Sequence, residues 1–108
     1  MRKIETEMVA AIKAGKNFTR DNTSVVVHDG GLFYSVFLFG NHIAKGIVGN
    51  VPRYFNLCSH PSNTTMSRLR ALGVPVCRKG GVPCLHGRGA VPVNVWVGSG
   101  KGFRTPLA

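Results

Sequence analysis

Two Cys-x-His pairs contain the residues of this sequence that are best suited to hold a metal ion. Cys58 and His60 form the first pair, Cys84 and His86 form the second, and Cys77 lies between them. Thiolate and imidazole groups are zinc ligands, and four of them complete a tetrahedral site if the two pairs meet in space. The spacing differs from that of common zinc motifs. We therefore predict no metal or other cofactor, with a zinc site on these four residues as the alternative.

The residues that catalysis would need are scarce. A Cys or Ser nucleophile requires a histidine and usually a carboxylate that orients it, but the chain has four acidic residues, all within its first 29 positions. Cys58 with His60 or His42 lies in no recognisable nucleophile motif. The stretch 98–102 resembles part of a phosphate-binding loop, but Val95 stands where the motif requires a glycine and Gly102 stands where it requires Ser or Thr. We predict a protein that is not an enzyme.

Positive charge is the feature of the composition that points to a partner. The chain has 108 residues and a formal net charge of +10, and no Asp or Glu follows residue 29. Uncompensated cations favour a phosphate-rich partner, whose condensed counter-ions are released on binding. We predict non-catalytic binding of DNA or RNA through the phosphate backbone, without an element that reads bases. The predicted contacts are Arg53, Asn63, Thr64, Thr65, Arg68, Arg70, Arg78, Lys79, Arg88, Lys101 and Arg104.

The start of a second helix, predicted near residues 64–72, is the favoured contact. Ser62 and Asn63 are residue types that commonly cap helices. The free N–H groups of a first helical turn bind anionic oxygens. Arg68 and Arg70 are expected to face outward and to add charged hydrogen bonds. An ordinary capped helix with solvated arginines is the alternative.

Aromatic residues between the cations form a candidate stacking surface for single strands. The candidates are Phe33, Tyr34, Phe37, Tyr54, Phe55 and Trp96. A domain of this size needs its large apolar side chains in the core, so we expect most of these rings to be buried. Tyr34, Tyr54 and Trp96 have polar atoms that tolerate water, so these three are the candidates for exposed exceptions.

One small α+β domain must position these residues. Hydrophobic residues make up 44% of the chain, which suffices for a single core. Helical spacing over residues 2–14 predicts an N-terminal helix that ends at Gly15, and a polar loop follows at 16–22. Strand-forming runs lie at 23–27, 32–39, 42–47 and 53–57. The first two should pair as a hairpin, and the second, apolar on both faces, should be a central strand.

The C-terminal part is rich in Gly, Pro and Val. The runs 74–77 and 82–86 flank a glycine turn, and alternating valines at 91–97 predict a last strand. The predicted fold is therefore α+β, with an antiparallel sheet of about four to six strands and two helices. Residues 1–97 form its single domain, and residues 98–108 form a flexible basic tail.

The stretches FGNHIA at 39–44 and SNTTMSRLRALG at 62–73, with the opening helix in the same register, resemble a pattern in small accessory proteins of tailed bacteriophages. The resemblance implies a viral accessory protein built from a helix, a hairpin, a third strand, a second helix and a short closing hairpin. It implies no activity and no catalytic residue. Met66 stands where a lysine is frequent in such proteins, and the Gly/Pro-rich region after Arg78 departs from the pattern.

The sequence lacks the apolar segments of a membrane protein or a secreted protein. No apolar run approaches the roughly 18–20 residues of a membrane span, and the N-terminus has no secretory h-region. We expect a protein of the cytoplasm, that of the infected bacterium if a phage encodes it, without a membrane partner.

The alternative partners are a host protein that this chain inhibits and other components of the virion. A homo-oligomer formed through sheet edges is also open.

Overall fold

The computed structural model describes residues 2–59, 61–100 and 105–107. Its elements in chain order are α1 (Lys3–Ala14), β1 (Phe18–Arg20), β2 (Thr23–His28), β3 (Phe33–Leu38), β4 (Asn41–Ile47), β5 (Tyr54–Phe55), α2 (Asn63–Ala71), β6 (Val76–Lys79), β7 (Val82–Leu85), β8 (Gly89–Ala90) and β9 (Val97–Gly98). The predicted α+β class and both predicted helices are confirmed.

The larger sheet has six antiparallel strands in the order β1-β2-β3-β4-β5-β9. β3 is central, as expected for a strand that is apolar on both faces. One row of residues, Val25, Val36, Ala44 and Phe55, crosses four neighbouring strands and is buried in the core. Met8 of α1 and Leu69 of α2 belong to the same core, so both helices cover this face of the sheet. Successive side chains of a strand point to opposite faces, and neither helix of the described residues covers the second face.

A β-bulge interrupts the pairing of β3 with β4. Val36 pairs with Ala44 and Phe37 pairs with His42, so Ile43 is an extra residue of β4. A bulge moves the following side chains to the other face of the strand. His42 and Lys45, three positions apart, therefore lie on the same face of the sheet.

The smaller sheet has three antiparallel strands in the order β6-β7-β8. Gly80 and Gly81 connect the first two with φ angles of 57° and 81°. Positive φ at both positions is typical of the tight turn that suits a two-residue hairpin. The predicted hairpin at this place is confirmed.

Three sequence expectations differ from the structure. The predicted loop at 16–22 contains β1, which pairs with β2. Of the predicted strand at 91–97, only Val97 lies in a strand, β9, because Pro92 has no N–H to donate and Asn94 adopts a φ of 60°. The alternating valines do not share one face, since Val91 is buried whereas Val93 and Val95 are exposed. The predicted strand at 53–57 shortens to β5.

The described part of the predicted tail contacts the rest of the chain. The predicted boundary at residue 97 falls inside β9, which pairs with β5. The N–H of Val51 donates to the carbonyl of Thr105, and the N–H of Leu107 donates to the carbonyl of Gly49. Leu107 is buried in the core. Residues 105–107 therefore pack against the loop that follows β4.

Candidate functional site

The helix-free face of the six-stranded sheet carries aromatic rings next to cationic side chains. We call it the outer face and define it by His28, Phe33, Ser35, Phe37, His42, Lys45, Arg53, Tyr54 and Trp96. Ser35, Lys45 and Tyr54 are register partners across β3, β4 and β5. Trp96 comes from the segment before β9 and reaches this row. The sheet thus gathers residues from five separate stretches of the sequence.

The rings of the outer face remain partly open to solvent. Phe33 is 37% exposed, Tyr54 is 38% exposed and Trp96 is 37% exposed. Large apolar side chains usually lie inside a domain of this size, so several open rings on one face make it the candidate interaction surface. Of the three candidates for exposure, Tyr54 and Trp96 are exposed. The third, Tyr34, is buried, and its hydroxyl donates to the carbonyl of Asn50.

Two cations contact these rings. Lys45 Nζ lies 4.2 Å from the centre of the Trp96 ring and 5.7 Å from that of Tyr54. Arg53 Cζ lies 5.5 Å from the centre of the Tyr54 ring. A cation within about 6 Å of a ring face is attracted to its negative electrostatic potential. These contacts hold positive charge beside open ring surface.

His42 lies between Phe37 and Trp96. Its ring is stacked on Phe37 at 4.6 Å and meets the edge of Trp96 at 4.7 Å. The Nε2 atom is buried and has no hydrogen-bond partner within the part of the chain that the structure describes. Burial lowers the pKa of His42 below its ordinary value, and the nearby charge of Lys45 lowers it further. The ring is therefore neutral at physiological pH.

A groove of about 380 Å³ runs along the outer face beside His28, Phe33, Lys45 and Tyr54. Within it, His28 Nε2 lies 3.2 Å from the hydroxyl of Ser35, and His28 Nδ1 lies 3.0 Å from a carboxylate oxygen of Asp29. A carboxylate only accepts hydrogen bonds, so Nδ1 is the donor to Asp29, whereas a hydroxyl such as that of Ser35 can donate or accept. The groove combines open ring surface, polar edges and cations.

The comparison with known proteins places the chain in a family. Residues 1–94 match the family described as Kyanoviridae Gp96 protein. The chain belongs to this phage family. The predicted relation to small phage proteins is thereby confirmed, and the chain is a phage-type accessory protein. No curated protein and no solved structure matches it.

Arg68 of this phage protein does not face outward as expected. Its side chain is 4% exposed. Its Nη1 atom donates to Glu5 Oε2 at 2.7 Å, and its Nε atom donates to the hydroxyl of Thr23 at 3.0 Å. Glu5 is itself buried on α1, and a buried carboxylate requires a cationic partner. The prediction of an exposed Arg68 is therefore wrong, and this residue is not accessible to phosphate.

The start of α2 is also more occupied than expected. The hydroxyl of Ser62 accepts from the N–H of Thr65, and the hydroxyl of Thr65 accepts from the N–H of Ser62. Thr65 is buried, whereas Asn63 is exposed and Thr64 half-buried. The helix thus supplies its own cap, which competes with any anion at this end.

The other predicted cations lie near the small sheet or outside the described residues. The Nε atom of Arg70 donates to the carbonyl of Val76, and Arg78 donates to the carbonyl of Pro61. Lys79 and Arg88 are exposed. Lys101 and Arg104 lie outside the described residues.

The candidate zinc ligands within the described residues come from two separate parts of the fold, since Cys84 and His86 lie at β7 and Cys58 follows β5. Cys84 lies opposite Cys77 in the β6–β7 pairing, and His86 follows β7 on the surface. Cys58 follows β5, and burial raises the pKa of its thiol. The described residues contain no group of three or more His, Cys, Asp and Glu side chains arranged to hold a metal ion. His60 lies outside the described residues.

The sequence interpretation left Lys45, His28 and His42 out of the predicted site. Strict alternation along β4 places His42 and Lys45 on opposite faces, and the bulge at Ile43 brings them together. A lysine and a histidine inside an otherwise apolar strand were the sequence signal that could have identified these site residues.

Within the described residues, neither helix is long and apolar enough to cross a membrane.

Proposed function

We propose that this phage protein is a non-catalytic nucleic-acid-binding protein that acts in the cytoplasm of the infected cell. Its contact surface is the outer face, where Lys45 and Arg53 hold positive charge beside open rings. This juxtaposition is the observation that carries the proposal. Lys79 and Arg88 provide further exposed charge near the small sheet. Phosphate contacts position the protein on DNA or RNA without selecting a sequence.

Charge and chemistry both support a polyanion over a small substrate. No carboxylate follows residue 29, so an approaching anion meets little repulsion from residues of β3, β4 or β5. Asp29, which follows the groove residue His28 in the chain, already accepts a hydrogen bond from it. The ring contacts limit the freedom of Lys45, which reduces the entropy lost when it binds a phosphate.

A protein partner is the second candidate function. Exposed Val26, Phe33, Tyr54 and Trp96 form an apolar area that also suits a host factor, a virion component or a second copy of this chain. The cations would then steer an acidic partner. This candidate predicts that binding of random nucleic acid is weak at every salt concentration.

A salt series tests the proposal. Binding to random-sequence oligonucleotides is measured by fluorescence anisotropy between about 50 and 200 mM salt, where each phosphate contact contributes roughly 0.7–0.9 to the slope of log K against log salt. Lys45→Ala should reduce the magnitude of that slope by roughly 0.7–0.9, the contribution of one phosphate contact. Lys13→Ala is the matched control, because Lys13 is exposed on α1, which covers the other face of the sheet. Absence of binding at the lowest salt concentration would reject the proposal.

A further inference from the structure

We infer that the groove of the outer face receives an unpaired nucleobase, so that the ligand is single-stranded nucleic acid rather than a duplex. The inference rests on the proposed function and names the ligand class of the same site. It is carried by the open ring faces, the polar pair inside the groove and the cations at its rim.

The ring faces require a base that is not stacked in a duplex. Phe33 and Tyr54 line the groove and are both partly exposed, so a flat ligand can lie against them. In a duplex each base is covered on both faces by its neighbours, and only unpaired bases can stack on protein rings. The volume of about 380 Å³ falls within the range of sites that hold small organic ligands.

The polar pair in the groove matches the edge of an unpaired base. Ser35 is buried, and its hydroxyl reaches His28 Nε2. A hydroxyl both donates and accepts hydrogen bonds, and a base outside a duplex exposes donors and acceptors on its Watson–Crick edge. This pair can therefore bind a base edge without selecting one base strictly.

The charges at the rim suit the phosphates that flank such a base. Lys45 and Arg53 both line the groove, and Lys45 also contacts Trp96 outside it. A strand that places one base in the groove carries a phosphate on either side, and these phosphates meet the two cations. Charge complementarity thus favours a nucleic acid strand over an uncharged apolar partner.

Trp96 makes the inference directly measurable, because it is the single tryptophan of the chain. Its fluorescence is followed during titration with an oligothymidine of roughly 16 nucleotides and with a duplex of the same length. We expect the single strand to quench Trp96 and to bind more tightly than the duplex. Tyr54→Ala and Phe33→Ala should each weaken single-strand binding by roughly 5- to 150-fold, as loss of one stacked base does. Duplex binding should change little.

Phe39→Ala is the control for the loss of an exposed ring. Phe39 is 70% exposed in the turn between β3 and β4 and does not line the groove, so single-strand binding should be retained. Tyr54→Leu keeps an apolar side chain in β5 and removes the ring with its hydroxyl group, which separates stacking from a folding defect. Equal affinity for both nucleic acids, unaffected by Tyr54→Leu, overturns the inference. If Lys45→Ala still weakens binding in that case, the proposed function stands. Absence of all binding at low salt overturns both.

Discussion

Glu5 and Arg68 form an ion pair that is shielded from solvent and joins the two helices. Ser67 donates a second hydrogen bond to the same carboxylate oxygen. Burial alone would raise the pKa of Glu5, but the hydrogen bonds from Ser67 and Arg68 outweigh it and lower that pKa. The unfolded chain therefore takes up this proton first as the pH falls. The resulting stabilisation is complete above the ordinary glutamate pKa of about 4.3 and is lost as the pH falls through the lower pKa of the folded state.

Replacing Glu5 should cost far more stability than replacing an exposed glutamate. Glu5→Gln leaves the charge of Arg68 buried without its partner, and we expect the free energy of unfolding to fall by about 3–5 kcal/mol. Glu7→Gln is the control, because Glu7 pairs with Arg20 on the surface and should matter little. Urea unfolding at neutral pH measures both variants. Equal losses would contradict a dominant role of the buried pair.

His42 should titrate below the ordinary histidine pKa of about 6.5. Its ring contact with Trp96 makes tryptophan fluorescence a reporter of its protonation. Because burial and then the charge of Lys45 lower this pKa, the unfolded state binds the proton first, and folding stability declines as the pH falls below about 6.5.

The pH midpoint of Trp96 fluorescence checks this prediction. Lys45→Met removes the neighbouring charge and should move the midpoint upward. The charge of His28 also lowers the pKa of His42, but less than that of Lys45 does. His28→Asn is therefore the control and should move the midpoint less. A midpoint at the ordinary value in the unaltered protein would show that His42 is not shielded.

At the scale of elements, α2 can stop at its observed place because residue 73 is a glycine. Gly73 has a φ of 90°, and a Cβ atom there would lie 2.9 Å from a methyl group of Val51. The positive φ turns the chain toward Val74, which is buried in the core. The contact with Val51 therefore requires a residue without a side chain at the end of α2.

Gly73→Ala should be more destabilising than Gly81→Ala. Both glycines have a positive φ, which costs an alanine about 1–2 kcal/mol. A Cβ atom at Gly81 meets nothing within 4 Å, whereas at Gly73 it meets Val51. We expect a further loss of about 1–3 kcal/mol for Gly73→Ala from this overlap. Thermal unfolding of the two variants gives the comparison, and a similar loss in both would argue against the contact with Val51.

At the scale of the whole molecule, the last described residues close the fold. Asn50 and Pro106 form an isolated antiparallel bridge, and Leu107 is buried. Together with β9, this brings the C-terminal part of the chain back to the edge of the six-stranded sheet. The segment before β9 also delivers Trp96 to the outer face.

Leu107→Ala tests whether this end stabilises the domain. Removing a buried leucine side chain typically costs about 2–5 kcal/mol, and we expect a value near the lower limit because the site is at the surface of the core. Pro106→Ala, at an exposed neighbouring position, is the control. The measurement is urea unfolding followed by Trp96 fluorescence. An unchanged unfolding midpoint for Leu107→Ala would mean that the residue adds nothing to the core.

Local patterns were sufficient for much of the fold. Both helices, the β2–β3 hairpin, β4 and the β6–β7 hairpin follow from residue spacing and turn residues, because these signals act between neighbours in the chain. The residue types also identified Tyr54 and Trp96, together with the buried Tyr34, as candidates for exposed rings. The excess of positive charge follows from the composition and does not depend on the fold.

Local sequence patterns did not predict the contacts between residues that are far apart in the chain. Arg68 has the sequence character of a surface cation, but its partner Glu5 lies 63 positions away. The bulge at Ile43 and the short pairing of β5 with β9 likewise depend on the neighbouring strand rather than on local spacing. Side-chain burial and strand pairing are properties of the packed chain, because they arise only when segments that are distant in the sequence pack against each other. The arrangement of Lys45, Tyr54 and Trp96 on one face is therefore a result of folding that no single stretch of residues encodes.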